Sequence, residues 1–313
     1  MASNVKLTFL GTSAQIPTAK RNHTGIFLNY KEENILIDCG EGTQRQFRIA
    51  KLNPCKITRI LITHRHGDHV FGLPGLISTL EQSGYNKTLY IYGPSGIKKF
   101  LEYFLALDFH KRDFKIIIEE VVPKGMTPNM KDGASGKFFE NEDFYLEAEK
   151  MEHGIPTNAY SFVIKDKLRI DRKKLAKSKL SSGPFLKQLK EGKDIVHDGK
   201  KYKSKDFVYL EKGKKISFVL DTLMNKKITP FVKGSDLFIC EASFGDDLKD
   251  LAKEHLHLTA GQAGEIAKKS NSKKLILTHI SQRYEVNLKE LVNYAKENFK
   301  DVKIAEDFDE EVV

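Results

Sequence analysis

The sequence has 313 residues, 52 of them Lys or Arg and 42 Asp or Glu, with three Cys, no Trp and a formal net charge of +10. A chain of this length that is 40% hydrophobic can build a substantial core, which excludes global disorder. No run approaches the roughly 18 consecutive apolar residues of a membrane-spanning helix, and the first residues lack the apolar segment of a signal peptide. The scattered Cys39, Cys55 and Cys240 argue against both a disulfide framework and a thiolate metal site. We therefore expect a soluble cytoplasmic protein with reduced thiols and no membrane association.

In chain order, the first third alternates short apolar runs with turns and helical spacing. Val5, Leu7 and Phe9 alternate with polar neighbours and predict a strand, as do the apolar runs at 35–37 and 57–63. A histidine-rich loop follows, and apolar residues spaced i, i+3, i+4, i+7 then predict a helix over 73–80. Further strands are predicted over 89–92, 115–122, 160–164, 216–220, 237–240 and 275–278, and a further helix over 97–107. This order predicts an α/β protein.

The positive charge is concentrated in one segment, residues 165–205. It holds fifteen basic and five acidic side chains, a balance of +10, so the rest of the chain is neutral. Helical patterns over 168–180 and 185–190 flank a Ser-Ser-Gly-Pro turn, which indicates an insertion projecting from the sheet rather than a part of it. Alone, such a run is either a solvated surface without a partner or a binding surface for a polyanion.

Four potential metal ligands lie within six residues after the strand predicted at 57–63: His64, His66, Asp68 and His69. At an extended strand end His64 and His66 point the same way and can hold one metal, while Asp68 and His69 turn toward a second. Gly67 permits a tight backbone path between the two pairs. This pattern predicts a metal site with two ions.

These four residues form an HxHxDH motif that resembles the metallo-β-lactamase superfamily. The resemblance implies that His153 completes the first metal site, that Asp221 bridges both metals and that His279 is the last ligand of the second site. It also implies an αββα sandwich fold. Neutral imidazoles and carboxylates suit Zn²⁺, two ions per subunit, although Mn²⁺, Fe²⁺ or Co²⁺ can bind the same ligands. Such a pair activates a water and stabilises an in-line displacement, so we expect a hydrolase.

Within the superfamily, nearly the whole chain resembles ribonuclease Z. The motifs that carry this resemblance are the N-terminal loop around 10–22, the run at 71–76 after the histidines, Glu241 in Cys-Glu-Ala-Ser-Phe, His257 with Thr259, and the closing segment 279–284. The resemblance implies an endonuclease that removes the 3′ trailer of precursor tRNA just after the discriminator nucleotide and leaves a 3′-hydroxyl.

The resemblance also motivates catalytic roles outside the metal ligands. A ribose 3′-oxygen is a poor leaving group until it is protonated, and His257 oriented by Glu241 can supply that proton. His255 is a rival donor, and Glu241 and His257 are alternatively an unrelated surface acid and base. Asp68 can act as a base in addition to binding metal. Ser281 and Arg283 either hold the scissile phosphate or make ordinary surface contacts.

In this reading the chain has a catalytic domain, 1–164 and 206–313, interrupted by a flexible Lys-rich arm, 165–205. Ribonuclease Z grips tRNA with a protruding arm that has a Gly-Pro turn, which Gly183 and Pro184 match, with Lys173 and Lys174 among its basic residues. A basic arm suits the exposed phosphates of an A-form duplex. The partners expected are therefore precursor tRNA, without DNA, and a second subunit, since the arm acts in trans. An aromatic stretch is either dimer interface or core: Phe100, Tyr103, Phe104 and Phe109.

Two other functions fit parts of the sequence. A small-molecule phosphodiesterase, or another hydrolase of the same fold, would share the metal ligands and would not need the arm. A non-catalytic RNA-binding protein would need the arm and not an intact ligand set. The simultaneous presence of both features favours the nuclease.

Overall fold

The computed structural model describes residues 4–106, 113–123, 136–178, 180 and 183–313. Its strands are β1 Lys6–Gly11, β2 Gly25–Tyr30, β3 Glu33–Ile37, β4 Arg59–Leu61, β5 Leu89–Gly93, β6 Ile116–Glu120, β7 Gly136–Glu140, β8 Phe144–Met151, β9 Thr157–Ile164, β10 Lys167–Ile170, β11 Ile195–His197, β12 Lys200–Tyr202, β13 Val208–Glu211, β14 Lys215–Val219, β15 Leu237–Glu241, β16 Leu275–Thr278, β17 Val302–Ile304 and β18 Glu310–Val312.

The helices are α1 Thr43–Ile49, α2 Gly67–Val70, α3 Leu73–Gln82, α4 Ile97–Ala106, α5 Arg172–Lys177, α6 Phe185–Lys190, α7 Ser204–Phe207, α8 Ile228–Phe231, α9 Lys249–Glu254, α10 Ala260–Lys269 and α11 Leu288–Lys296. Short 3₁₀ helices cover Pro54–Lys56, Asp246–Leu248 and Gln282–Tyr284. Among the described residues, none of the helices combines the length and apolar content needed to span a bilayer.

Within the described ranges, two seven-stranded sheets dominate the fold. One has the order β18-β1-β2-β3-β4-β5-β6 and the other β17-β16-β15-β14-β9-β8-β7. Strands β3 to β6 run parallel to one another, as do β14 to β17, so their carboxyl ends meet at one edge of each sheet. Strands buried on both faces read as apolar runs, which is why β15 and β16 are visible in the sequence, whereas β4 begins at Arg59 and is marked by the β-branched residues around it.

The two sheets pack face to face and helices cover their outer faces. Between the sheets, the rings of Tyr30 and Phe162 meet edge to face at 5.4 Å, and the Tyr160 hydroxyl donates to the Ile62 carbonyl at 2.8 Å. On one outer face α1, α3 and α4 bury an apolar cluster against the first sheet; on the other, α8, α10 and α11 do so against the second. This is the αββα sandwich that the sequence predicts.

Two compact units divide the chain: residues 1–139, 146–162 and 215–313 form the first, and 140–145 with 163–214 form the second. The second unit contains the antiparallel pair β10–β13, the hairpin β11–β12 and helices α5, α6 and α7. It has its own small core, in which Leu180, Leu189, Ile195 and Tyr202 are buried.

The helix predicted over 168–180 is wrong in its first part. Residues Lys167–Ile170 are strand β10, and the helix begins only at Arg172, because the Asp171 side chain accepts hydrogen bonds from the Lys173 and Lys174 amides and caps the helix there. The second predicted helix, over 185–190, is confirmed as α6. Lys179 and the Ser-Ser pair of the turn lie outside the described residues, as do Leu107 and Phe109.

Candidate metal centre

The histidine motif lies where strand β4 passes into helix α2. His64 follows the strand after two residues, His66 is the residue before the helix, and Asp68 and His69 lie within its single turn. A Cβ on Gly67 would lie 2.4 Å from the Phe71 ring, and Gly67 has no positive φ. A larger residue here would have to displace the exposed Phe71 ring, and the backbone freedom expected from the sequence is not used.

A first group of ligand atoms combines His64, His66, His153 and Asp221, and all of these atoms lie within 4.8 Å of one another. His66 Nδ1 is 3.0 Å from His64 Nε2 and 3.2 Å from His153 Nε2. Oδ2 of Asp221 is 3.5 Å from His64 Nε2 and 3.9 Å from His153 Nε2. Three imidazoles and one carboxylate oxygen thus point at a common centre.

A second group combines Asp68, His69, Asp221 and His279. Here Asp221 uses its other oxygen: Oδ1 is 3.2 Å from His279 Nε2 and 3.6 Å from His69 Nε2. Oδ2 of Asp68 is 3.3 Å and 3.4 Å from the same two nitrogens. Since each Asp221 oxygen faces a different group, this carboxylate is placed to bridge two ions.

The chemistry of these atoms fits a pair of divalent metals. His69 and His279 each direct Nδ1 to an outer partner, so in the neutral rings the two Nε2 lone pairs face each other at 3.3 Å. Oδ1 of Asp221 is buried without a hydrogen-bond partner in the described part of the chain. Lone pairs and a buried carboxylate oxygen that converge in this way need a positive charge between them.

Neighbouring charges shift the protonation of this cluster. Burial opposes a charged His69, yet Asp68, Asp221 and Asp38 together raise its pKa well above the usual value. Burial, and then the charge on His69, lower the pKa of His64. Burial disfavours the Asp221 carboxylate, but the surrounding imidazoles hold its pKa well below the ordinary range. The aspartates therefore remain anionic, as metal ligands must, and a metal that binds His69 would displace the proton that the raised pKa leaves on that ring.

Outer partners that the sequence analysis missed fix the imidazole rings. Asp38 accepts from His69 Nδ1 at 2.7 Å and from the Thr63 hydroxyl at 2.7 Å. Thr63 Oγ1 lies 3.1 Å from His64 Nδ1, and Ser243 Oγ lies 2.8 Å from His279 Nδ1. His153 Nδ1 donates to a carbonyl, that of residue 256, at 3.1 Å. These contacts select the tautomers that present Nε2 to a metal.

Asp38 carries a signal that could have identified it. It follows strand β3, which pairs in parallel with β4 so that Ile37 lies opposite Leu61. A carboxylate at the end of a strand next to the histidine strand is therefore placed beside the metal motif. Asp38, Asp221 and His279 have φ values of 57°, 36° and 57°. Positive φ in non-glycine residues is costly and is typical of functional sites.

Glu241 and His257 form a buried pair at the edge of the cluster. His257 Nδ1 lies 2.8 Å from Glu241 Oε2, and the His257 side chain is 16% exposed while Glu241 is fully buried. Burial disfavours the charged ring, but the negative charge of Glu241 and its hydrogen bond outweigh burial and raise the pKa of His257 to about 9. The rival His255 is exposed and instead stacks on Phe244, with ring centroids 6.2 Å apart. The geometry thus favours His257 over His255 as the candidate proton donor, a choice that the sequence alone could not make.

A cleft of about 300 Å³ opens onto the cluster and is lined by His66, Asp68, His153, Asp221, Ser243, Phe244, His255, His257, Ser281, Gln282 and Arg283, with residues 14–16 of the N-terminal loop. Ser281 and Arg283 lie together there, with Arg283 Nη1 3.4 Å from Ser281 Oγ. The Arg283 guanidinium also lies 5.8 Å from the centre of the Phe244 ring. A cation and a hydroxyl are thus available beside the metal ligands for an anionic substrate.

The remaining predicted binding residues lie in the second unit. Lys173 and Lys174 are exposed on α5, and Pro184 is the N-cap residue of α6. A Cβ on Gly183 would lie 2.5 Å from the Phe185 ring, so a larger residue here would have to displace that ring.

An αββα sandwich whose strand ends carry this ligand set defines a hydrolase of the metallo-β-lactamase fold. Residues 5–202 match the family model described as anti-Pycsar protein Apyc1, which ends before Asp221. Ribonuclease Z of Nanoarchaeum equitans is 40% identical over 300 residues, which cover 96% of this chain and 90% of that one. Ribonuclease Z of Methanocaldococcus jannaschii is also 40% identical over 300 residues, covering 95% and 91%. The chain belongs to the ribonuclease Z family.

Solved structures agree with this assignment. The short form of human tRNase Z has a TM-score of 0.69 and 29% identity, and the match covers 98% of each chain. The Bacillus subtilis metallo-β-lactamase fold protein YhfI also has a TM-score of 0.69, at 19% identity, over 99% of this chain and all of that one. The second likeness bears on the fold alone.

Proposed function

We propose that this protein is a metal-dependent endoribonuclease that removes the 3′ trailer of precursor tRNA by cleaving after the discriminator nucleotide. The observation that carries the proposal is the single cleft in which two ligand groups, bridged by Asp221, lie beside the Glu241–His257 pair. The full-length relatives named Ribonuclease Z support the choice of substrate.

We propose Zn²⁺ as the resident metal, two ions per subunit, with Mn²⁺ or Co²⁺ as substitutes. His64, His66, His153 and Asp221 would hold one ion; Asp68, His69, His279 and the other oxygen of Asp221 would hold the second. The nitrogen-rich donor set favours Zn²⁺ over Mg²⁺ or Ca²⁺. When bound, such a pair lowers the pKa of water and stabilises charge on the attacked phosphate.

The chain's own residues then complete an in-line hydrolysis. Water attacks the phosphorus, with Asp68 placed to accept its proton, and the bond between phosphorus and O3′ breaks. The electron pair stays on O3′, which takes a proton from His257, while Glu241 stabilises the charged ring before transfer. The products are a 3′-hydroxyl on the tRNA and a 5′-phosphate on the trailer. Ser281 and Arg283 would hold the phosphate during this step.

Substrate selection would belong to the Lys-rich arm, 165–205, with Lys173, Lys174 and the Gly183–Pro184 turn among its tRNA contacts. Its exposed cations can bind the phosphates of an RNA duplex. Such a duplex is recognised by its shape and charge, because its base edges are not accessible in the deep major groove. We also propose a homodimer, in which the arm of one subunit serves the site of the other, and a cytoplasmic location. Tyr103 and Phe71, 67% and 53% exposed, are candidates for the dimer interface.

The experiment that tests the proposal is incubation of the purified protein with Zn²⁺ and a precursor tRNA carrying a 3′ extension. The product should end in a 3′-hydroxyl directly after the discriminator nucleotide, as determined by ligation and sequencing of the product end. Intact RNA under these conditions, or cuts scattered along the trailer, would overturn the proposal.

A further inference from the structure

A second cleft, of about 350 Å³, also borders His257, and none of its lining residues belongs to the two ligand groups bridged by Asp221. Its walls include Leu223, Met224, Lys249, Lys253, His257 and Gln262. His257 also lines the metal cleft, so this one side chain borders both openings. The volume lies within the range of small-ligand sites and suits one nucleotide.

The chemistry of cleavage determines which part of the RNA faces this second cleft. His257 donates its proton to O3′, and O3′ belongs to the last nucleotide that stays on the tRNA. The attacked phosphate leaves with the trailer, in the direction of Ser281 and Arg283. Among the described residues no hydrogen bond joins His257 Nε2, so this atom is the one available to the ribose oxygen. The retained nucleotide must therefore lie on the His257 side.

We infer that the second cleft is the subsite for the discriminator nucleotide, with Lys249 and Lys253 binding the phosphates on its 5′ side and Leu223 with Met224 supporting its base. This inference rests on the proposed tRNA-processing function and deepens it.

The two lysines have the placement that phosphate binding requires. They are one turn apart on α9, about 6 Å along the helix axis, and both are exposed. Neither has an ion-pair partner within the described ranges. Asp250 also lines the cleft, and Asp246, Asp247 and Glu254 lie on the same segment, but among the residues that line the cleft two are cations and one is an acid. Two exposed lysines that line the same cleft as His257 can each contact a phosphate.

The apolar wall is fixed to the catalytic pair through the backbone. The Thr222 amide donates to Glu241 Oε1 at 2.6 Å, while the other oxygen of Glu241 binds His257. The Leu223 amide donates to the Glu152 carbonyl at 2.7 Å. Met224 is half-buried and packs against the core of the second sheet. An adaptable thioether on a rigid segment can contact any of the four bases.

Gln262 adds a polar group of known orientation. Its Oε1 accepts from the Thr259 amide at 3.0 Å in the capping box of α10. The amide nitrogen of Gln262 is consequently left to donate to a ligand in the cleft. Base or ribose oxygens are the natural acceptors for such a donor.

The test compares Lys249→Ala/Lys253→Ala with the control Lys289→Ala/Lys296→Ala, which removes the same charge from exposed positions of α11. The first pair should raise KM for precursor tRNA about tenfold and should reduce the slope of log(kcat/KM) against log salt by about 2. The control pair should leave both quantities unchanged. Thermal unfolding and zinc content are measured on both double variants, to exclude misfolding.

Base contact is tested with Met224→Ala on four precursor tRNAs that differ only in the discriminator nucleotide. The variant should change the ratios of kcat/KM among the four by at least threefold relative to wild type. If wild type cleaves and neither the salt slope nor these ratios move, the subsite is wrong and the nuclease function stands. If wild type does not cleave, the proposed function fails, and this inference fails with it.

Discussion

Asp221 is the residue on which both ligand groups depend, because each of its oxygens faces a different one. Replacing Asp221 or His66 by alanine should lower pre-tRNA cleavage by at least about 1,000-fold. The Asp221 variant lacks the ligand shared by both proposed ions, and the His66 variant lacks one of the three imidazoles of the first ion. RNA binding, measured by filter retention, should stay within about threefold of wild type, because phosphate contacts do not involve these atoms. Cleavage at wild-type rate by either variant would contradict the ligand assignment.

His257 and His255 differ in their partners, and this difference predicts different effects. His257→Ala should lower kcat by a factor of about 100 to 10,000, the usual contribution of a general acid, because it removes the donor bonded to Glu241. His255→Ala, the matched control, should change kcat less than fivefold, since His255 lines the cleft and stacks on Phe244 but, within the described ranges, makes no hydrogen bond to Glu241. Single-turnover cleavage measures both. A larger loss with His255→Ala would reverse the assignment.

The charge on His257 should depend on Glu241. Burial disfavours the charged ring, and Glu241 overcomes this and raises the pKa to about 9, so the ring is protonated at pH 8 in the metal-free protein. In Glu241→Gln burial still disfavours the charged ring while only the weaker effect of Asp221 favours it, so the pKa should fall toward or below its ordinary value of about 6.5, which leaves the ring neutral at pH 8. An NMR titration of the metal-free protein in EDTA measures the change. An unshifted His257 resonance would mean that Glu241 does not control this proton.

At this scale, the residue pattern predicted the ligands that are adjacent in the chain, the family resemblance supplied the distant ligands His153, Asp221 and His279, and neither predicted the outer partners of the imidazoles. His64, His66, Asp68 and His69 are visible because four ligand types within six residues are rare. Asp38 and Ser243 were not visible, because a single acid or hydroxyl after a strand is common in any chain. Only the parallel pairing of β3 with β4, and the turn after β15, bring them to the imidazoles.

At the scale of elements, strands buried on both faces were predictable and the Lys-rich segment was less so. The sequence predicts a strand over 57–63, but β4 covers only Arg59–Leu61. The strand is shorter because the chain must leave the sheet to place the histidines. In the arm, Leu168 and Ile170 fit a helical pattern, yet they pair with β13, since Asp171 stops the helix from extending toward them. Long-range pairing overrides local propensity here.

The arm can be removed at a defined place. Ile170 and Val208 are cross-strand partners in the β10–β13 pair, so residues 171–207 can be replaced by a two-residue Asn-Gly hairpin turn. The variant should lose at least about 100-fold in kcat/KM for precursor tRNA, because it lacks the cations that we propose bind the phosphates. Hydrolysis of bis(p-nitrophenyl) phosphate should remain, since the metal ligands lie in the other unit. An unchanged pre-tRNA rate would favour a small-molecule phosphodiesterase.

At the scale of the whole molecule, the metal centre joins the two sheets. His64, His66, Asp68 and His69 follow a strand of the first sheet, while His153, Asp221 and His279 follow strands of the second. Metal that binds only the folded state adds about 4 kcal/mol at a thousandfold excess over Kd. Chelation should therefore lower the Tm by at least about 5 °C in calorimetry, and added Zn²⁺ should restore it. A Tm indifferent to EDTA would argue against a metal held between the sheets.

Because both sheets contribute ligands, the stage of folding at which the chain can first cleave RNA is also defined. Each proposed ion takes two ligands from the first sheet and two from the second, so a chain whose sheets have not docked offers only half a coordination shell. Two ligands hold a metal weakly, and His257, the proposed general acid in the loop between α9 and α10, would then have no reaction to assist. If these ligands hold the metals as proposed, we expect a nascent or partly unfolded copy to be inert toward RNA, with nuclease activity appearing only once the two sheets have docked.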